Sequence, residues 1–243
     1  MKLPPKDQMI IGVQPIRELL RLHPQRILRV YTGEHKQSEL LNSLVKHNIP
    51  ITFVKKDQLT KMAGTESHQM LLAQITPRDY FTVQRYLERA KTPSLLLIMD
   101  QIFDPQNFGA ILRCAECFGA SAVLWSKNRG TELTPTAAKA SSGASELLPL
   151  IRISNLATAV DQLKTEGFEI VAAQMTDQAE SSYDFTFAPK TALIMGSEGE
   201  GIQPLLQKKA CRSIFIPMAG HIRSLNVAQA TAVLLALWNR GPR

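Results

Sequence analysis

From residue 94 onward the sequence alternates short apolar runs with longer amphipathic segments, and that alternation dictates a largely parallel sheet with helical crossovers. Leu95–Met99 is an unbroken apolar run, as a strand covered on both faces requires. Ala122–Trp125, Phe168–Ala173, Ala192–Met195 and Ser213–Ile216 read as further strands. Helices are expected near Phe108–Phe118, Leu156–Glu166 and Pro204–Lys208. A last helix, from about Leu225 to Trp238, is apolar nearly all round, which demands burial within the domain or between subunits. The fold class is therefore α/β.

The chain ahead of this pattern reads as a smaller α/β unit. Val13–Leu22 has helical spacing, with Pro15 in the first turn where a missing N–H costs little. Arg26–Tyr31, Ile51–Val54 and Met70–Ile75 read as strands, and Ser38–Lys46 as a helix. Residues 76–93 are charged and bounded by Pro77 and Pro93, while Val83, Tyr86 and Leu87 keep helical spacing. The expected division is a domain over 1–75, a linker with one helix over 76–93, and a second domain over 94–243.

Charge separates the same two parts. Residues 1–92 hold fifteen Lys and Arg against eight Asp and Glu, whereas residues 93–243 hold thirteen of each. The whole formal excess of +7 thus lies in the first two-fifths of the chain. A localised basic excess attracts polyanions, nucleic acid foremost, although a solvated basic surface leaves the same trace. Lys55, Lys56 and Lys61 are the expected phosphate contacts. No run of about eighteen apolar residues occurs, so no membrane span is expected. The N-terminus lacks an apolar signal core, and three cysteines are too few for a disulfide framework, so a cytoplasmic protein is expected.

Three segments that follow predicted strands carry the chemistry, since open α/β sheets place ligands at the carboxyl ends of their strands. The first runs from Asp100 to Arg113. Asp104 or Asn107 can cap a helix there, Gly109 permits close backbone approach, and Arg113 is either a functional cation or the ion-pair partner of Glu116. The second runs from Ile194 to Ile202, with glycines at 196, 199 and 201. It fits neither a phosphate-binding P-loop nor a dinucleotide fingerprint, and a plain left-handed turn explains the glycines nearly as well. The third runs from Ile216 to Ala230, where Ser224 and Asn226 are either helix caps or ligand contacts. Cys114 and Cys117 share a helix without a second ligand pair and read as structural, so no metal is expected.

Together these segments resemble the three signature motifs of the SpoU/TrmH family of RNA ribose methyltransferases. The matching residues are Asp104-Pro105, Asn107, Gly109, Arg113 and Gly119, then Gly196-Ser-Glu-Gly199 with Gly201, then Ile216-Pro-Met218 with Ser224-Leu-Asn-Val227. Ile11-Gly12, His68-Gln69, Gly143-Ala-Ser-Glu146 and Pro149-Leu-Ile-Arg152 extend the similarity upstream, toward the branch that methylates a guanosine in the P-loop of large-subunit rRNA. Phe108 and Ala228 stand where Leu and Ser are usual, and His221 and Arg223 make the third loop more basic.

The resemblance implies a basic substrate-recognition domain similar to ribosomal protein L30e, then a SPOUT domain with a deep C-terminal trefoil knot. It implies S-adenosylmethionine as cofactor, held by Met195, Gly196, Ser197, Gly199, Ile216, Pro217, Met218, Ser224, Leu225 and Asn226. It implies catalytic roles for Asn107, Arg113, Glu198, Ser224 and Asn226, with Arg113 also touching RNA. Large-subunit rRNA or an assembling ribosomal subunit is the implied partner, and a homodimer the implied assembly. His68 and Gln69 are either RNA contacts or strand-edge structure. The rival readings are a tRNA ribose methyltransferase of the same family and a non-catalytic ribosome-assembly factor. A dehydrogenase is disfavoured because no acidic ribose binder follows the first strand of the second domain.

Overall fold

The structure is a computed structural model that describes residues 9–33, 38–222 and 224–240. Arg223, one of the two residues that make the third loop more basic, lies outside the described residues. Contacts divide the chain into two units, one of residues 1–79 with 132–147 and one of residues 80–131 with 148–243. Among the described residues no helix is long and apolar enough to cross a membrane.

The first unit holds β1 (Met9–Ile11), α1 (Val13–Leu22), β2 (Ile27–Thr32), α2 (Glu39–Lys46), β3 (Ile51–Phe53), α3 (Lys56–Ala63) and β4 (Leu71–Ile75). Its four strands order as β1-β4-β2-β3, antiparallel except for β2 beside β3. Period-two alternation sends Ile10, Val30 and Ala73 to one face, with Ile16 and Leu19 of α1 and Leu44 of α2. Met9, Ile11, Tyr31 and Leu72 go to the other face, with Leu59 and Ala63 of α3.

Two short helices from far along the chain complete this unit: α6 (Pro135–Ala140) packs on β1 and α7 (Ala144–Leu147) on α1. A continuous second domain from residue 94 was the sequence expectation, and the structure corrects it. Ala138 enters the core of the first unit. Gly143 sits at φ 94°, and a Cβ there would lie 2.7 Å from Cγ of Glu18, so α7 meets α1 too closely for a side chain.

The second unit begins at Tyr80, so residues 80–93 are part of its fold and not a linker. Phe81 pairs with Ile151, and Val83 and Tyr86 of α4 (Val83–Leu87) are buried in its core. Its remaining elements are β5 (Ser94–Met99), α5 (Pro105–Cys117), β6 (Ala122–Ser126), β7 (Leu150–Ile153), α8 (Leu156–Thr165), β8 (Glu169–Ala173) and β9 (Glu180–Ser181). The unit ends with β10 (Lys190–Met195), α9 (Pro204–Lys209), β11 (Arg212–Phe215) and α10 (Val227–Arg240). Seven strands order as β7-β6-β5-β10-β8-β11-β9, every pair parallel. Because all strands share a direction, the loops after β5, β8, β10 and β11 leave the same end of the sheet. The three motifs are on those loops, and α10 packs against α5.

Candidate active site

Asp104 begins the site by capping α5, its carboxylate accepting the N–H groups of Gln106 at 3.2 Å and Asn107 at 3.1 Å. This presents the Asn107 amide to the two other motifs. Asn107 Nδ2 donates to Glu198 Oε1 at 3.3 Å, and Asn226 Nδ2 donates to Asn107 Oδ1 at 2.9 Å and to Glu198 Oε1 at 2.7 Å. Glu198 Oε1 also accepts the Val227 N–H at 3.3 Å, so this carboxylate caps α10. One residue from each motif therefore meets in a single polar cluster.

The glycine loop owes its shape to Gly196 and Gly201. Ser197 and Gly201 exchange two backbone hydrogen bonds, each of 3.1 Å. A Cβ on Gly196 would sit 2.3 Å from the Gly201 carbonyl carbon, so only glycine fits that crossing. Gly201 adopts φ 69°, whereas Gly199 has open space around it.

Below this loop a cleft of about 450 Å³ opens, within the size range of small-molecule sites. Of the expected cofactor residues, Met195, Gly196, Ser197, Ile216, Met218, Ser224 and Leu225 line it. Gly199, Pro217 and Asn226 do not, the Asn226 amide being turned toward Glu198. Ser224 makes no hydrogen bond among the described residues and stays available to a ligand. The same holds for the backbone groups of Met218 and Leu225. An apolar slot with free backbone donors and acceptors suits a nucleoside edge, so these residues fit an adenosyl group.

Sequence reasoning missed two contributors. Ala173 at the end of β8 and residues 174–176 after it line the cleft without any motif signal. Asp100, fully buried at the end of β5, accepts the Gln203 N–H at 2.7 Å and the Gln203 side-chain amide, which pins the chain just beyond the glycine loop. Burial pushes the Asp100 carboxyl upward, and the two bonds from Gln203 oppose that. Arg129 donates to the Gln203 side-chain oxygen Oε1 from the loop after β6.

Arg113 is on the exposed side of α5 and has neither a hydrogen bond nor an ion pair among the described residues; the alternative pairing with Glu116 is not formed. Six residues beyond Asn107, it stands roughly 9 Å further along the helix and about 120° round it. Accordingly it does not join the polar cluster or line the cleft. Cys114 donates weakly to the Ala228 carbonyl at 4.0 Å between α5 and α10, in keeping with a structural role.

In the first unit Lys55, Lys56 and Lys61 are exposed on and beside α3. His68 is corrected as an RNA contact, because it is only 1% exposed and both ring nitrogens are engaged. Nδ1 accepts the Met70 N–H at 3.1 Å, leaving Nε2–H to donate to Thr60 Oγ1 at 3.1 Å. Gln69 is likewise structural, its Oε1 accepting the Val13 N–H at 3.2 Å. Burial, reinforced by Lys56 and Lys139, holds the His68 pKa below the ordinary 6.5. The folded protein thus takes up this proton at lower pH than the unfolded chain does. Stability from His68 is complete above pH 6.5 and is lost as pH falls through the depressed value. The urea midpoint should therefore fall more between pH 7 and pH 5 for the wild type than for His68→Gln; equal losses would remove His68 as the cause.

These features define the chain as a member of the SpoU rRNA methylase family, whose model matches residues 94–236. A second model, for RNA 2′-O-ribose methyltransferase substrate binding, matches residues 9–81. The 23S rRNA (guanosine-2′-O-)-methyltransferase RlmB of Pasteurella multocida is 35% identical over 236 residues, 94% of this chain and 96% of that one. Its namesake in Acinetobacter baylyi is 30% identical over 237 residues, 95% of this chain and 96% of that one. The crystal structure of the SpoU methyltransferase AviRb from Streptomyces viridochromogenes in complex with AdoMet superposes with a TM-score of 0.80. It covers 96% of this chain and 89% of that one at 20% identity, a likeness of fold.

Proposed function

We propose that the protein transfers a methyl group from S-adenosylmethionine to the ribose 2′-hydroxyl of a guanosine in large-subunit rRNA, the P-loop guanosine being the target. The observation that carries this reading is the Asn107–Glu198–Asn226 cluster beside a backbone-lined cleft. Relatives named as rRNA guanosine 2′-O-methyltransferases along nearly the whole chain support the substrate class. A substrate-binding match over residues 9–81, together with exposed Lys55, Lys56 and Lys61, supports RNA recognition by the first unit.

When bound, S-adenosylmethionine supplies an electrophilic methyl on a sulfonium that departs as a neutral thioether, so no leaving-group acid is needed. The protein has to position the hydroxyl and steady the charge that grows on its oxygen. Glu198 holds the Asn107 and Asn226 amides in one orientation, and their remaining polar atoms orient the ribose or its flanking phosphate. Arg113 supplies the positive charge. A guanidinium stays protonated at neutral pH, so it acts by stabilising the developing alkoxide, and the hydroxyl proton passes to solvent water.

The outward position of Arg113 supports a homodimer in which it serves a site completed by a partner subunit. Half-buried Val233, Ala236 and Leu237 on α10 offer an apolar face for that contact. The trefoil knot belongs to the same proposal, supported by three loops of distant sequence that line one cleft. With labelled S-adenosylmethionine, label should appear on rRNA 2′-oxygens and not on tRNA. Arg113→Ala should slow transfer about 10²- to 10³-fold with cofactor affinity unchanged. Transfer at the wild-type rate in that variant would remove Arg113 from catalysis.

A further inference from the structure

The loop joining β5 to α5 is held at both ends, yet it turns an aromatic ring outward. Asp100 is fully buried, and Gln101 at φ 59° reverses the chain. Ile102 is buried, and its carbonyl accepts the Thr131 N–H at 2.8 Å from the loop after β6. Phe103 then stands 59% exposed, one residue before the Asp104 cap and four before Asn107. Single exposed apolar residues are ordinary, and Val45 and Phe53 are examples in the first unit. The neighbours of Phe103 set it apart.

β5 and β6 are adjacent and parallel, so the loop after β6 rises beside Phe103. That loop carries exposed Lys127 and Arg129. Ser126 Oγ fixes its backbone by accepting the N–H groups of Asn128 and Arg129, each at 3.2 Å. The adjacent acid, Asp104, turns its carboxylate to helix N–H groups, whose dipole partly offsets its charge, and Lys127 and Arg129 outnumber it. An aromatic face beside two cations on a fixed loop matches what single-stranded RNA requires, a surface for base stacking and charge for phosphate.

We infer that Phe103 stacks on a nucleobase flanking the methylated nucleotide while Lys127 meets a backbone phosphate, so that this rim is a second RNA contact, in the catalytic unit itself. The inference rests on the proposed rRNA substrate and adds the residues that select its local single-stranded form. Gln203, which receives Arg129 and is pinned by Asp100, ties the rim to the glycine loop.

The test uses the full chain, a transcribed large-subunit rRNA fragment in filter binding, and S-adenosylhomocysteine titration as the control for an intact site. Phe103→Ala should weaken RNA affinity about tenfold, and Phe103→Trp should keep it. Lys127→Gln should reduce the salt dependence of RNA binding by about one phosphate contact. S-adenosylhomocysteine affinity should be unchanged in all three. Wild-type RNA affinity in Phe103→Ala, or Phe103→Leu binding as tightly as Phe103→Trp, would overturn the stacking contact. A wild-type protein that binds the fragment but never methylates it would overturn the proposed reaction, and would leave these binding differences to judge the contact separately.

Discussion

Glu146→Ala should lower the unfolding free energy of the first unit by about 3–5 kcal/mol, the usual cost of stranding buried charge. The Glu146 side chain is 2% exposed and lies between two arginines that are themselves 15% and 13% exposed. Arg26 Nη1 reaches Oε2 at 2.8 Å, and Arg78 pairs with Oε1. Removing the carboxylate leaves two guanidinium groups in a poorly hydrated site without the charge they shared. The triad also joins residues far apart in sequence, so its loss should first release residues 132–147. Hydrogen exchange should show this as faster exchange over that segment. A triple variant, Arg26→Met with Glu146→Leu and Arg78→Met, removes all three charges and should recover most of the loss. If Glu146→Ala stayed within about 0.5 kcal/mol of the wild type, as ordinary surface changes do, the triad would not hold this segment.

That triad also marks where sequence reading runs out. Leu95–Met99 and Ala192–Met195 were legible as strands because a strand covered on both faces needs an unbroken apolar run, and both lie at the centre of the seven-stranded sheet. The α3 helix was not legible, because it buries only Leu59 and Ala63 and shows the solvent mostly charged and polar residues. β1 spans three residues and β9 two, too short for any periodicity to register. The return of residues 132–147 to the first unit was not legible, since the segment is rich in Ala, Ser and Thr and nothing local in such a run of small residues says which unit it packs on. His68 was legible only as either an RNA contact or strand-edge structure, because the sequence does not show the two hydrogen bonds that make its burial tolerable. In the candidate site the motif residues were legible as types and spacings. Their mutual bonds were not, because Asn107, Glu198 and Asn226 meet only after three loops leave the same end of the sheet.

Gly196→Ala should abolish cofactor binding, with an expected loss of at least about a hundredfold in S-adenosylhomocysteine affinity. The added methyl would meet Gly201 C at 2.3 Å, Gly201 O at 2.5 Å and Ile202 N at 2.5 Å, all backbone atoms of the facing chain. No rotamer change relieves such a collision, so the two limbs must separate and the 3.1 Å pair between Ser197 and Gly201 must break. Two consequences reach the site together. The wall of the cleft made by Met195, Gly196 and Ser197 moves, and Glu198 is drawn away from Asn107, Asn226 and the start of α10. The neighbouring glycines supply the controls. Gly199→Ala meets nothing within 4 Å and should bind cofactor like the wild type. Gly201→Ala has room but must hold φ 69°, so it should lose about 1–2 kcal/mol of loop stability and only part of the affinity. Isothermal titration of the three variants ranks them directly. Were Gly196→Ala to bind as tightly as Gly199→Ala, the cofactor could not depend on the backbone crossing between Gly196 and Gly201, and the cleft would lose its assignment.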